Sequence, residues 1–281
     1  MGRRPAGPGS GQHQRMSLRT LPVPNASAGE APSVLVAPDL PWPHGFTLRG
    51  GGVSAGAFTS LNLGLSSGDA RDAVEANRDR LLAALGYARA DVCAFEQVHG
   101  DRVLAGDAGW FTERADAATT DVPGRLLVVS VADCYPLLFH DPTRGAVAAA
   151  HCGWRGTVAG LAARVVERMV VRYGSDPSDL RVAIGPGIGA DCYQVGPEVV
   201  DAYRGAGFPS DVATPDDEGR HRLDLVAANR WTLLRAGIRP EHIWSAGTCT
   251  HCEPARYFSH RRDAGVTGRH WAFIGVPRRS P

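Results

Sequence analysis

Two apolar runs lie close together near the middle of this chain: "RLLVVSVADC" over residues 125–134 and "GAVAAAHC" over residues 145–152. The first has apolar residues on both faces of an extended segment and reads as a buried strand. "PLLFH" (136–140) continues extended, Asp141-Pro142 starts a turn, and the second run reads as the next strand. Each run stops in reactive side chains, Asp133-Cys134 after the first and His151-Cys152-Gly153-Trp154-Arg155 after the second. Apolar runs build sheets. Thiols, imidazoles and a guanidinium at their ends build sites.

The flanking segments fix the fold class. Residues 71–86 form a helical pattern with Val74, Leu81, Leu82 and Leu85 on one face and Gly86 as the stop. A second helix is predicted from Thr157, read as its cap, through a stripe of Val158, Leu161, Ala162, Val165, Val166, Met169, Val170 and Tyr173 to Gly174. Residues 180–185 read as a strand, 223–237 as a helix, and "HIWSAGTCT" and "HWAFIGV" as closing strands. Strands and helices mix without strict βαβ alternation, which predicts an α/β or α+β sandwich in a single domain. Residues 1–32, rich in Gly, Pro and Ser and without periodicity, are expected to be a disordered tail, leaving residues 33–281 as the domain.

Composition excludes several chemistries. All 30 basic residues are arginines, since the 281-residue chain contains no lysine. A Schiff-base lysine, a pyridoxal phosphate anchor and a Walker-type phosphate lysine are therefore ruled out. Any anion must be held by arginine or metal. The formal net charge of +1 supplies no field for nucleic acid or an acidic membrane. Six cysteines in a chain of this length form no dense disulfide framework, and no apolar stretch approaches the roughly 18 residues of a membrane span. A cytoplasmic protein with reduced thiols is expected.

"EQVHGDRV", "VADCYP" and "AAAHCGW" place His99, Cys134 and His151 at the ends of extended runs. Two imidazoles and a thiolate suit Zn²⁺ with a fourth position open to water. The same residues also suit a nucleophilic cysteine with a histidine base, or ordinary packing at strand ends. Asp133 is placed to orient a histidine. The single CxxC in "TCTHC" (248–252) reads as a half-buried thiol pair and "GPGIG" (185–189) as a tight turn. In "LRGGGVSAG" (48–56), Arg49 and backbone N–H groups can meet an anion. Arg155 and the pair Arg261-Arg262 are further phosphate clamps. Asn62, Asn77 and Asn229 can read a polar substrate or satisfy backbone.

Taken in order, "FTLRGGGVSAGAFTSLNLG", "NRDRL", "QVHGDRV", "ADCYPLLF", "HCGWRGT", "IGPGIGADCYQVG", "CT" and "FSHRRDAGVTGR" resemble the laccase-domain family. That family was once called multicopper polyphenol oxidoreductase and is now associated with purine nucleoside phosphorylase activity. The resemblance spans about residues 45–276. It implies a four-layer α/β/β/α sandwich and a zinc site made here by His99, Cys134 and His151. Cys152, where the family usually has a small residue, and Cys252 depart from the pattern without removing a ligand.

The resemblance further implies phosphorolysis of adenosine, inosine and methylthioadenosine, with adenosine deamination as a side activity. Arg49 and Arg155 are expected to hold phosphate and Asn62 to meet the substrate. Copper is the competing metal. A copper polyphenol oxidase needs a larger histidine cluster, for which only His44, His140 and His251 remain as loose candidates. Two further functions stay open: a peptidoglycan-precursor editing amidase and a non-catalytic metal-binding protein.

Overall fold

The computed structural model describes residues 17–21, 31–106, 109–216 and 219–278. Two large sheets face each other. In spatial order the seven-stranded sheet runs Ser17–Thr20, Ser33–Val36, His44–Thr47, His270–Gly275, Leu126–Val131, Val92–Glu96 and Trp110–Arg114. The six-stranded sheet runs Ile243–Ser245, Arg181–Ile184, Tyr135–Asp141, Ala146–Cys152, Ala117–Thr120 and Val103–Ala105. A small three-stranded sheet of Gln194–Val195, His221–Leu223 and Ala213–Pro215 lies apart.

Period-2 alternation explains how both sheets become two-sided. Leu127 and Val129 point between the sheets with Leu138, Val147, Ala149 and Ile274. Their neighbours Leu126 and Val128 point outward, where Leu81 and Leu82 of the helix Arg71–Leu85 cover them beside Trp271 and Phe273. On the other sheet Leu137, Phe139, Ala148 and Ala150 face the helices Leu161–Tyr173, Pro197–Gly205 and Leu225–Arg235. Each fully buried Leu or Phe contributes about 1.5–3 kcal/mol of apolar transfer. Three apolar cores thus separate four layers, the α/β/β/α sandwich expected. Among the described residues no helix is long and apolar enough to cross a membrane.

Two sequence expectations differ from the structure. Within the stretch expected to be a tail, Ser17–Thr20 pairs antiparallel with Ser33–Val36 as an edge strand, and Leu21 is buried. Most of the remaining stretch lies outside the described residues. Thr157 is not a helix cap. It sits inside a short helix, Trp154–Val158, and the long helix starts separately at Leu161 behind Gly160, whose φ of 80° breaks the run. Thr157 is fully buried, and its Oγ1 accepts from Asn229 Nδ2 at 3.2 Å.

Candidate metal centre

His99, Cys134 and His151 converge where the two sheets meet. His99 lies three residues past the strand Val92–Glu96 of the larger sheet. Cys134 sits in the crossing between Leu126–Val131 of that sheet and Tyr135–Asp141 of the other. His151 is carried by Ala146–Cys152 in the smaller sheet. One ligand atom from each lies within 4.8 Å of the others. The imidazole rings of His99 and His151 meet edge to face with centroids 4.8 Å apart. His151 is buried, Cys134 half-buried and His99 exposed, so the group opens on one side.

The backbone is bent to make this convergence. His99 (φ 59°) and Asp133 (φ 81°) both occupy the left-handed region without being glycine, a conformation costing on the order of 1–3 kcal/mol that persists only where surroundings impose it. At His99 the surroundings are the buried carboxylate of Asp116, which accepts the N–H groups of Val98 (3.2 Å), His99 (2.9 Å) and Gly100 (2.6 Å). Asp116 Oδ1 also accepts from His151 Nδ1 at 2.8 Å. That bond leaves His151 Nε2 as the donor atom available to a metal. Burial disfavours the Asp116 charge, but His151 and the loop N–H groups outweigh it and hold the carboxyl below the usual range.

Asp133, expected to orient a histidine, instead binds neighbouring loops. Its oxygens accept from Thr250 Oγ1 at 2.6 Å and from the Arg261 N–H at 2.7 Å. Asp116 takes the orienting part.

The donor set fits a metal. Burial opposes a thiolate at Cys134, yet the charge of His151 and hydrogen bonds from both histidines pull its pKa down to about 6. Burial likewise opposes charge on His151, but Cys134 and Asp116 raise it to about 9. The pair keeps the thiolate that a metal requires, and a metal bound there would take the place of the proton on His151 Nε2. Space is kept for the ion at Gly153, where a Cβ would stand 2.9 Å from Cys134 Sγ and 3.3 Å from His99 Cδ2.

Around this group lie Tyr193 and Arg269, which the sequence analysis did not single out, and Arg261, which it did. Tyr193, following Cys192, feels the charges of Cys134, Arg261 and Arg155; burial first, then Cys134, pushes its hydroxyl up to about 12. Arg261 stacks 5.0 Å from the Tyr193 ring centroid, and Arg269 sits in the field of Cys134 and Asp133. Asp116, between Ala115 and Ala117 just before the strand Ala117–Thr120, was likewise not singled out.

The expected anion and substrate residues divide. Arg155 is exposed at the start of the helix after His151, its guanidinium 4.2 Å from the Trp154 ring centroid. Arg49 is committed elsewhere: Nε and Nη1 donate to the Thr59 and Pro254 carbonyls (2.9 and 2.6 Å), and it lies 4.7 Å over Phe258. The N–H groups of Gly52 and Val53 are likewise spent, on Ser60 Oγ and Asn77 Oδ1. Asn62 is fully buried, donating to Ser67 and Asp69 and accepting from Gly64 and Arg269. That exhausts an amide's four hydrogen bonds, so Asn62 braces the loop and has no group left for a substrate. Arg262 spends its guanidinium on the Thr250, His251 and Tyr257 carbonyls and on Asp263.

Fold and site together define a layered α/β/β/α protein with a two-histidine, one-cysteine centre at the junction of its sheets. The family model described as "Multi-copper polyphenol oxidoreductase laccase" matches residues 43–277, and the chain belongs to that family. It is 48% identical over 246 residues to a protein of Deinococcus radiodurans named "Purine nucleoside phosphorylase", covering 88% of this chain and 94% of that one. It is 38% identical to "Purine nucleoside phosphorylase YfiH" of Escherichia coli, over 86% and 98% of the two chains. The crystal structure of YlmD from Geobacillus stearothermophilus superposes with a TM-score of 0.83 at 38% identity, over 92% of this chain and all of that one.

Proposed function

We propose that this chain is a zinc-dependent purine nucleoside phosphorylase of the cytoplasm, carried by the domain over residues 33–281 together with its edge strand Ser17–Thr20. Its substrates are adenosine, inosine and methylthioadenosine, and its second substrate is inorganic phosphate. The observation that carries the reading is the approach of His99, Cys134 and His151 to within 4.8 Å of one another, in a chain whose relatives bear that name. Held there by His99, Cys134 and His151, zinc would supply a Lewis acid.

The remaining work falls to the chain's own groups. A phosphate oxygen attacks C1′ of the ribose, the bond from C1′ to the purine nitrogen breaks, and its electron pair leaves with the base, which takes up a proton. Positive charge builds on the sugar and negative charge on the departing purine. Arg155 and Arg261, whose charges both act on Tyr193, hold the phosphate, in a chain that has no lysine to do so. Arg269 lends its charge on the Asp133 side. Arg49 keeps the glycine-rich loop in place rather than touching phosphate. Adenosine deamination belongs to the same cleft, with water displacing ammonia from the purine ring.

One observation favours a second reading. Cys134 against His151, with His151 held by Asp116, has the order of a nucleophilic cysteine, its base and an orienting acid. That arrangement suits the peptidoglycan-precursor editing amidase. Chelation separates the two, because a cysteine nucleophile survives metal removal. The copper oxidase reading finds no histidine cluster at the centre: His44 bonds to the Ala37 N–H and the Trp42 carbonyl, His140 packs on Trp42, and His251 groups with Cys192 and Cys252.

Product chromatography of adenosine with purified protein, in phosphate and in phosphate-free buffer, tests the proposal. Adenine and ribose 1-phosphate formed only with phosphate are expected. Inosine alone would make the protein a deaminase, and no turnover by zinc-loaded protein would overturn the nucleoside reading.

A further inference from the structure

Cys192 and Cys252 are 60 residues apart in sequence, yet their Sγ atoms lie 3.2 Å apart. A ring nitrogen of His251 joins them, and all three donor atoms fall within 4.8 Å of one another. Cys249 lies close enough to both thiols to interact with them, and its Sγ accepts the Gly189 N–H at 3.2 Å. The cysteines are unbridged.

We infer that Cys192, Cys249, His251 and Cys252 form a second zinc site, separate from the one in the cleft. The donor set is three thiols and one imidazole with no carboxylate, the closed tetrahedral type that serves structure rather than catalysis. The Gly189 N–H, 3.2 Å from the first sulfur of the loop Cys249-Thr250-His251-Cys252, offsets thiolate charge there. A tetrahedral zinc with bonds of about 2.3 Å sets its sulfurs about 3.8 Å apart. Cys192 and Cys252 need to separate by roughly half an ångström to accept it, which exposed Cys252 can do without disturbing a core.

The placement gives this site a consequence for the cleft. Thr250 lies inside the CxxC and donates to Asp133, the residue before Cys134. Tyr193 follows Cys192 and faces the first site. A metal here joins residues 185–192 to residues 246–252, which already share the bond from Thr250 N to the Gly187 carbonyl at 2.9 Å. It would thereby fix the segments that carry Tyr193 and Thr250 beside the first site.

Metal analysis of the full chain, purified under reducing conditions and saturated with zinc before gel filtration, tests this. Two zinc ions per chain are expected in the wild type, and one each in Cys134→Ala and Cys252→Ser. Cobalt loaded into Cys134→Ala should give strong thiolate-to-metal charge-transfer absorption, which the double variant carrying Cys134→Ala and Cys252→Ser should lack. His251→Ala provides the same loss by a second route should the serine variant fold poorly. A wild-type content of one zinc, absent from Cys134→Ala and retained in Cys252→Ser, would overturn the inference. So would a Cys192–Cys252 disulfide in metal-free protein under those reducing conditions. None of these readouts depends on nucleoside turnover, so the inference and the proposed function fail separately.

Discussion

The carboxylate of Asp116 holds His151 and the His99 loop at once, accepting from His151 Nδ1 at 2.8 Å and from the His99 N–H at 2.9 Å. One buried acid therefore positions two of the three proposed ligands. Asp116→Asn keeps the shape but weakens the acceptor. Zinc affinity is expected to fall about 10–100-fold, the usual cost of losing a carboxylate behind a ligating histidine. Competition against a chelator of known affinity measures it, and unchanged affinity would remove Asp116 from this role.

Gly153→Ala tests the space kept for the ion. The backbone at Gly153 has φ −74°, which alanine adopts without strain, so its effect is purely steric. The new methyl would sit 2.9 Å from Cys134 Sγ and push the thiol aside. Metal content per chain should drop well below that of wild type while the far-UV spectrum stays the same. Full occupancy would show that the ligands tolerate the displacement.

His270 supplies an acid-sensitive contact in the core. Burial, then the charge of Arg49, lowers its pKa to about 3, and Nε2 accepts the Phe258 N–H at 2.8 Å. The folded state keeps this ring neutral, whereas the unfolded chain protonates it near its ordinary value of about 6.5. Its contribution is thus intact above about pH 6.5 and is lost as pH falls from there towards 3. Urea unfolding between pH 7 and 5 should show stability declining by up to about 1.4 kcal/mol per pH unit from this group. His270→Gln retains an acceptor and should flatten that slope; an unaltered slope would assign it elsewhere.

Arg155→Gln addresses phosphate. Losing one charge-assisted hydrogen bond, worth about 1.5–3 kcal/mol, should raise the phosphate KM about 10–100-fold. The KM for adenosine should move far less. Steady-state phosphorolysis at fixed adenosine provides the measurement, and equal effects on both substrates would contradict a phosphate contact.

Local patterns made most of the architecture legible. The runs at 125–134 and 145–152 became strands of the two facing sheets because their apolar residues needed cover on both faces, and Gly86 and Gly174 ended helices as expected. His99, Cys134 and His151 were legible because each sits where an extended run stops. Asp116 was not, since its importance lies in pairing across the sheet with His151, a relation that no spacing encodes. Arg49 and Asn62 misled for the opposite reason. Both residue types suit ligands, but here the glycine-rich loop uses their hydrogen bonds to hold itself together. Thr157 resembled a cap because the break at Gly160 leaves the apolar stripe uninterrupted in sequence.

His99 stands on one sheet, His151 on the other, and Cys134 on the chain that crosses between them. The proposed coordination sphere would therefore come into being only when the two halves of the sandwich dock. A nascent or half-assembled chain presents scattered donors with little hold on an ion, so metal capture would report completed folding. Once captured, the ion would act as a clasp, and sliding of one half against the other would have to break it first.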